Sequence, residues 1–295
     1  SIADFFADGQ SVEVPFILVS GSKDGPRLHI QVAQHGVEVH GLEATRRVLA
    51  DIDPKKLSGV ITFCLPNPLA FRERVGTTSM DPIPGGMNRI WPGDPNGTLT
   101  ERIAHSIWLN LIKDKADYVI DFHTGSSGIL NGKGNPVWVF YEAHGISPGL
   151  PKEVADKSER MAKIFGAEVL YKETETYGGG KTCRGLCVDN GIPAIVPELD
   201  GRSTFVESVV TMTARGLKNI LADLGMVAGK IELPAKQYVL KWVMDPKVSA
   251  LRNAKGGFFI PSVKIGDIVK KGDKVGIIYS PRTLQEIEIL KAPKD

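Results

Sequence analysis

The chain predicts an α/β fold: a mainly parallel or mixed central sheet with flanking helices, followed by a small C-terminal all-β module. Three observations carry this. Strand-like and helix-like segments alternate through the first two-thirds of the sequence, the pattern of a layered α/β domain. Residues 118–122 are nearly all apolar, as a strand covered on both faces requires. After Gly229 the helical periodicity stops, and short β runs separated by Gly-Asp turns take over.

The elements follow in order. Residues 12–19 mix apolar and polar positions and read as a strand. After the turn Lys23-Asp24-Gly25-Pro26, residues 28–33 read as another. Residues 42–50 place Leu42, Val48 and Leu49 at helical spacing with charged residues between them. A β-rich run at 60–65 is ended by Pro66-Asn67-Pro68. Residues 98–112 form the clearest helix, with Thr98 and Thr100 as N-cap candidates ahead of Ile103, Ile107, Leu111 and Ile112. Strands are then expected at 118–122, 137–141 and 194–196, and helices at 152–165 and 204–224. The last helix draws its apolar face from Val206, Val209, Val210, Leu217, Ile220 and Leu221. Residues 237–244 and the Phe258-Phe259-Ile260 run belong to the β module, with no evident closing strand before Ala292-Pro293. The expected boundary separates a catalytic domain, 1–228, from the module, 229–295.

At 295 residues the chain can bury a large core, and its 42% hydrophobic and 24% charged content is that of an ordinary globular protein. A net charge of +2, with lysines and arginines dispersed, argues against a nucleic-acid partner. No apolar run approaches the roughly 20 residues that span a bilayer. The first residues carry Asp4 and Asp8 and no basic stretch, so no secretion signal is expected. Cys64 lies inside an apolar run and reads as a small core residue. Cys183 and Cys187 have no companion cysteine or histidine nearby, so reduced thiols in a cytoplasmic protein are expected.

The chemistry centres on Gln34-His35-Gly36-Val37-Glu38-Val39-His40-Gly41. His35 and Glu38, three residues apart, share one face if the chain turns helical there. His123, closing the apolar strand 118–122, offers a second imidazole. Two histidines and a glutamate with one position left to water make up a catalytic zinc site. His40 is an alternative ligand, although three-residue spacing favours Glu38. Each alone has a blander reading, Glu38 as a helix-dipole partner and His123 as a strand-end histidine bonded to backbone. In α/β sheets ligands gather beyond the carboxyl ends of strands, and His35, His123 and Glu198 each follow a predicted strand. Asp121 lies two residues before His123, so both face the same way, as a metal-orienting partner or a bond to the adjacent loop.

Further blocks follow in the chain: Asn67-Pro68-Leu69-Ala70, Met87-Asn88-Arg89-Ile90-Trp91-Pro92-Gly93, Glu101 to Ala104, Asp121-Phe122-His123-Thr124 and Glu198-Leu199-Asp200-Gly201. With them, over roughly residues 28 to 225, the sequence resembles the succinylglutamate desuccinylase/aspartoacylase family of the zinc carboxypeptidase-like superfamily. That resemblance implies one zinc ion held by His35, Glu38 and His123. It implies Glu198 as the general base that takes a proton from the attacking water and returns one to the leaving amine. Arg89 matches the family's carboxylate clamp, a bidentate role lysine cannot fill, with Asn88 assisting. Arg74 is the candidate for polarising the scissile carbonyl, with Arg72 as the alternative because 75–86 is longer than in relatives. Arg184 stands where relatives carry another substrate-facing arginine.

One departure stands out: Gly86-Met87-Asn88-Arg89 replaces the family's Asp-Leu-Asn-Arg. Loss of that aspartate bears on substrate specificity more than on metal binding. The C-terminal module resembles the family's small β-barrel and is expected to wall the active-site mouth. The implied activity is removal of an acyl group from an N-acyl amino acid or related small amide. Two alternatives remain at this level, a metallocarboxypeptidase acting on peptides and a non-catalytic small-molecule binder on the same fold. The expected partners are a small-molecule amide and, at most, further copies of the chain.

Overall fold

The computed structural model describes residues 2–5, 8–81, 85–124, 137–142, 150–173, 181–200, 204–242, 251–264 and 267–293. Gly201 and residues 243–244 of the expected strand, named in the sequence reading, lie outside them. The chain divides into two compact units, one of Ser1–Gly128 with Val137–Lys241, the other of Ile129–Pro136 with Trp242–Asp295.

In the first unit the order is β1 (Ile2–Phe5), β2 (Ser11–Val14), β3 (Phe16–Ser20), β4 (Lys23–Val32), α1 (His40–Ala50), β5 (Ser58–Cys64), α2 (Pro68–Glu73), a 3-10 turn (Gly86–Arg89), and α3 (Leu99–Ile107). A π-helical turn (Trp108–Ile112), β6 (Tyr118–Phe122), β7 (Trp138–Glu142), α4 (Lys152–Phe165), β8 (Val169–Glu173), α5 (Cys183–Asp189), β9 (Ala194–Glu198), α6 (Glu207–Asp223) and β10 (Tyr238–Trp242) complete it. Eight strands form one sheet in the order β10-β8-β7-β9-β6-β4-β5-β3. Its centre is parallel, β5 with β4, β4 with β6 and β6 with β9, while β3 and β7 join antiparallel. The mixed, mostly parallel α/β architecture expected from the sequence is the one formed.

Alternation along the central strands explains the layering. In β4, Leu28, Ile30 and Val32 face one core, packed with Ala44 and Val48 of α1 and Val209 to Leu221 of α6. The opposite core unites Leu69 of α2, Ile103 and Ile107 of α3, Cys183 and Cys187 of α5, and Val119 and Ala194 from the sheet. Each such fully buried aliphatic side chain contributes about 1.5–3 kcal/mol. Both faces are therefore covered, which is why the central strands read as apolar runs.

Several boundaries differ from the sequence reading for identifiable reasons. Residues 12–19 are two strands, because Pro15 has no N–H to continue a ladder; β2 pairs β1 and β3 pairs β5. The Lys23-Asp24-Gly25-Pro26 turn is the irregular start of β4, whose register with β5 shifts between Lys23 and Arg27. In the expected helix 98–112 the capping box of Thr98 with Glu101 is present, but only Leu99–Ile107 is α-helical before the π turn. Two short helices were not foreseen. In α2 Asn67 caps the end by accepting from Ala70 N at 3.1 Å, with Pro68 at the first helical position. In α5 Thr182 caps by accepting from Gly185 N at 3.1 Å.

The strand near 237–244 is β10, and it lies beside β8 at the edge of the large sheet rather than in the C-terminal module. Its first amide, Tyr238 N, donates to Glu168 O at 2.7 Å. In the second unit β11 (Phe258–Pro261), β12 (Lys274–Tyr279) and β13 (Glu286–Lys291) form a three-stranded antiparallel sheet. A closing strand therefore exists, although none was evident from the sequence. Among the described residues no helix is long and apolar enough to cross a membrane.

Candidate metal centre

Three neighbouring parallel strands deliver the site. The chain leaves β4 through Ala33, a fully buried residue with φ of 66°, and turns at once into Gln34 and His35. His35 to Glu38 is a turn closed by Glu38 N donating to His35 O at 3.0 Å, not the start of a helix; α1 begins two residues later. The turn nevertheless places both side chains on one side. On β6, Gln31 pairs with Asp121 and Val32 with Phe122 in the β4–β6 register, so His123 emerges beside the His35 turn. His123 N donates to Pro197 O at 3.0 Å and Leu199 N donates to His123 O at 2.8 Å, which puts Glu198 at the end of β9 directly alongside.

Glycine is required at one point of this loop. A Cβ on Gly36 would stand 1.9 Å from Ala70 O, because the end of α2 packs onto the loop's backbone. Gly36 N also donates to Val75 O at 2.8 Å.

His35 Nδ1 and His123 Nδ1 each lie 2.9 Å from a different oxygen of Glu38. The three ligand atoms fall within 4.8 Å of one another, with Glu38 and His123 buried and His35 partly exposed. Behind His123, its Nε2 faces Asp121 Oδ2 at 3.2 Å. Gln34 Nε2 donates to both Asp121 oxygens, at 2.9 and 2.7 Å, and Trp91 Nε1 donates to Gln34 Oε1 at 2.8 Å. Two imidazoles and a carboxylate on one open-sided cluster suit a divalent transition ion, and the carboxylate behind the histidine supplies the orienting partner such ligands use. These residues fit a metal.

The electrostatics agree with the geometry. Burial pushes Glu38 upward, but charge on His123 and hydrogen bonds from both histidines hold it down at about 2. Burial alone would lower His123, yet Asp121 and Glu38 on either side raise it well above the usual histidine range. Asp121 is likewise depressed, its burial outweighed by His123 and by hydrogen bonds. Glu198 is different: enclosure lifts it to about 7, with Glu38 and Asp121 adding to the rise and His123 and His35 opposing it.

The other sequence candidates are distributed around this centre. Asn88 and Arg89 sit on the 3-10 turn, where Arg89 donates to Asn88 O at 2.6 Å. Met87 and Trp91 are buried on either side of them, and the indole of Trp91 reaches the metal loop through Gln34. Arg74 closes α2 with φ of 55°, is exposed, and directly precedes the Val75 carbonyl bonded to Gly36; Arg72 is exposed on the helix. Arg184 is buried on α5 and ion-paired with Glu173 of β8.

His40 is not part of the ligand set, because its Nε2 accepts from Val206 N at 3.0 Å beside the start of α6. His29 is buried between Thr62 and Cys64 and is pushed by burial to about 4. The three cysteines are free and buried. Gln34 and Trp91 were given no role from the sequence; 57 positions apart, nothing along the chain pairs them, and only Gln34's place beside His35 was a hint.

The family model of the succinylglutamate desuccinylase/aspartoacylase catalytic domain matches residues 24–224. The chain is 25% identical over 271 residues to N-alpha-acetyl-L-2,4-diaminobutyric acid deacetylase of Halomonas elongata, covering 91% of this chain and 75% of that protein. The product-bound structure of the ectoine utilization protein EutE (DoeB) from Ruegeria pomeroyi superposes with a TM-score of 0.80 at 22% identity, covering 99% of this chain and 86% of that one. A succinylglutamate desuccinylase from a Silicibacter species gives a TM-score of 0.80 at 21% identity, covering 99% and 85%. With more than half of its length matched by that model, the chain belongs to the succinylglutamate desuccinylase/aspartoacylase catalytic-domain family.

Proposed function

We propose that the chain is a zinc-dependent amidohydrolase that removes an acyl group from an N-acyl amino acid or a related small amide. The observation that carries this reading is the convergence of His35 and His123, 88 positions apart, on the two oxygens of one buried carboxylate, Glu38. Family membership supports it, as does a relative named for deacetylating an N-acetylated diamino acid.

A zinc ion held by these residues supplies Lewis acidity and makes an attacking water acidic near neutral pH. The remaining work falls to side chains. Glu198, lifted to about 7, is matched to accept a proton from that water and return it to the departing amine. Arg89, on the 3-10 turn with Asn88 beside it, takes the role of holding a substrate carboxylate through a planar bidentate contact. Arg74, at the α2 terminus bonded onto the metal loop, is assigned to the oxyanion; that hydrogen bond is why we prefer it to Arg72. Arg184, buried and paired with Glu173, keeps the substrate-facing role that the family resemblance implies.

The test is hydrolysis of acetyl-, succinyl- and peptide-linked substrates by zinc-loaded protein with and without a chelator. Chelator-sensitive release from N-acyl amino acids supports the reading. Preference for peptides would turn it into a carboxypeptidase, and zinc uptake with no hydrolysis of any substrate would make the protein a binder.

A further inference from the structure

We propose that Gln34, clamped by Trp91, is a positioning residue for the metal site: it fixes the Asp121 carboxylate behind His123 and so determines which imidazole nitrogen is offered to the ion. The proposal rests on the metal-site reading above.

The orientation of Gln34 is forced at both ends. An indole N–H can only donate, so the 2.8 Å contact from Trp91 Nε1 must end on the amide oxygen of Gln34. The amide nitrogen then faces Asp121, and a carboxylate can only accept, which matches its 2.9 and 2.7 Å contacts to the two oxygens. His123 Nε2 lies 3.3 Å from Gln34 Nε2 and 3.2 Å from Asp121 Oδ2. The first neighbour is a donor, so a proton on Nε2 can be accepted only by Asp121. Once Nδ1 gives up the proton it shares with Glu38, its lone pair is the one that would be offered to an ion on that side.

Burial makes the arrangement consequential. Gln34, Trp91, Asp121 and His123 are all at most 4% exposed, so water cannot substitute for a lost partner. Without Gln34, Asp121 loses its two amide contacts and is free to turn away from the imidazole. Phenylalanine at position 91 would keep an aromatic ring there but could not donate this bond.

The experiment uses metal-free full-length protein and zinc titration against a competing chelator, with thermal unfolding of the metal-free form as the fold control. Gln34→Leu should weaken zinc binding about 10–100-fold, alongside a modest drop in metal-free melting temperature from the buried partners it leaves unpaired. Trp91→Phe should shift affinity in the same direction by less, and the double variant should be no weaker than Gln34→Leu alone, because the indole acts through the amide. A purely structural role would lower the melting temperature and leave zinc affinity unmoved. Gln34→Leu binding zinc within about twofold of wild type would overturn the proposal. If that variant does not fold, unchanged affinity in Trp91→Phe overturns it instead. Wild type that takes up no zinc sinks the metal-site reading itself, an outcome separate from wild-type binding matched by Gln34→Leu.

Discussion

His123 presents one ring nitrogen to Glu38 at 2.9 Å and the other to Asp121 at 3.2 Å, so a single imidazole is held between two buried carboxylates. Neither acid can be protonated cheaply while that ring carries charge. In the metal-free protein this is a buried ion triad; on the proposed reading, a dication would take the place of the proton on the Glu38 side.

Metal uptake should therefore release protons. His123 is raised well above the usual histidine value, so near pH 7 the metal-free ring is protonated and Nδ1 must lose its proton to bind. Apparent zinc affinity should climb as pH rises from 6 to 8, about tenfold per pH unit at most. Calorimetry in buffers of different ionisation enthalpy measures the proton count; a count of zero would show that His123 is not a ligand.

The same shifts set the pH dependence of metal-free stability. Glu38, depressed to about 2, contributes stability above its ordinary value near 4.5 and loses it as pH falls toward 2. His123, raised, contributes fully below about 6.5 and loses its share as pH climbs through its folded value. The contribution of this pair to metal-free stability should accordingly be largest in the window between those limits and fade on the alkaline side, a fading that zinc-loaded protein should not show. Melting temperatures from pH 4 to 9 with and without zinc test this.

Glu198→Gln should keep zinc and lose roughly 10²–10⁴-fold in kcat, since the amide cannot accept a proton. The acidic limb of kcat/KM should lie at or below about 7, because the ion's charge pulls Glu198 down from that value. Retained turnover in a zinc-replete Glu198→Gln preparation would remove this residue from the chemistry.

Arg89→Ala should raise KM for substrates bearing a carboxylate and spare neutral analogues, and Arg89→Lys should restore little, because an ammonium cannot make the planar two-point contact. Equal losses on acidic and neutral substrates would exclude the clamp.

Gly36→Ala forces a Cβ to within 1.9 Å of Ala70 O, so α2 must move off the metal loop. The expected cost is about 1–3 kcal/mol in denaturant unfolding, accompanied by weaker zinc binding. Wild-type stability would mean that the helix does not brace the loop.

Much of this was legible in one dimension, for physical reasons. Strands β4, β6 and β9 are covered on both faces and announce themselves as apolar runs, and their ends carry His35, His123 and Glu198. The ligand trio could be proposed only because His35, Glu38 and His123 occur together with the Asn67, Asn88-Arg89 and Glu198 blocks; each alone has a blander use. Helices α2 and α5, of six and seven residues, span too few turns for a periodicity to appear. In β13 only Leu290 is buried and Glu286 and Glu288 interrupt the run, so its hydrophobic signal is faint. β10 was assigned to the module because composition changes at Gly229, but backbone pairing decides membership of a sheet. The Gln34–Trp91 bond was illegible, since a buried polar pair leaves no pattern until folding brings the two together.

The proposed ligands and base sit at or just beyond the ends of three strands whose separation is dictated by main-chain hydrogen bonding, while Asn88, Arg89 and Arg74, proposed for substrate, stand on a 3-10 turn and at the end of α2. On the proposed reading, the ion's lodging is anchored to the least variable dimension of a protein, and the grip on substrate to its more editable parts. Rewriting a connector would then redirect the site to a new acyl compound without rebuilding the cage, a latitude that a centre assembled without such anchoring would not have.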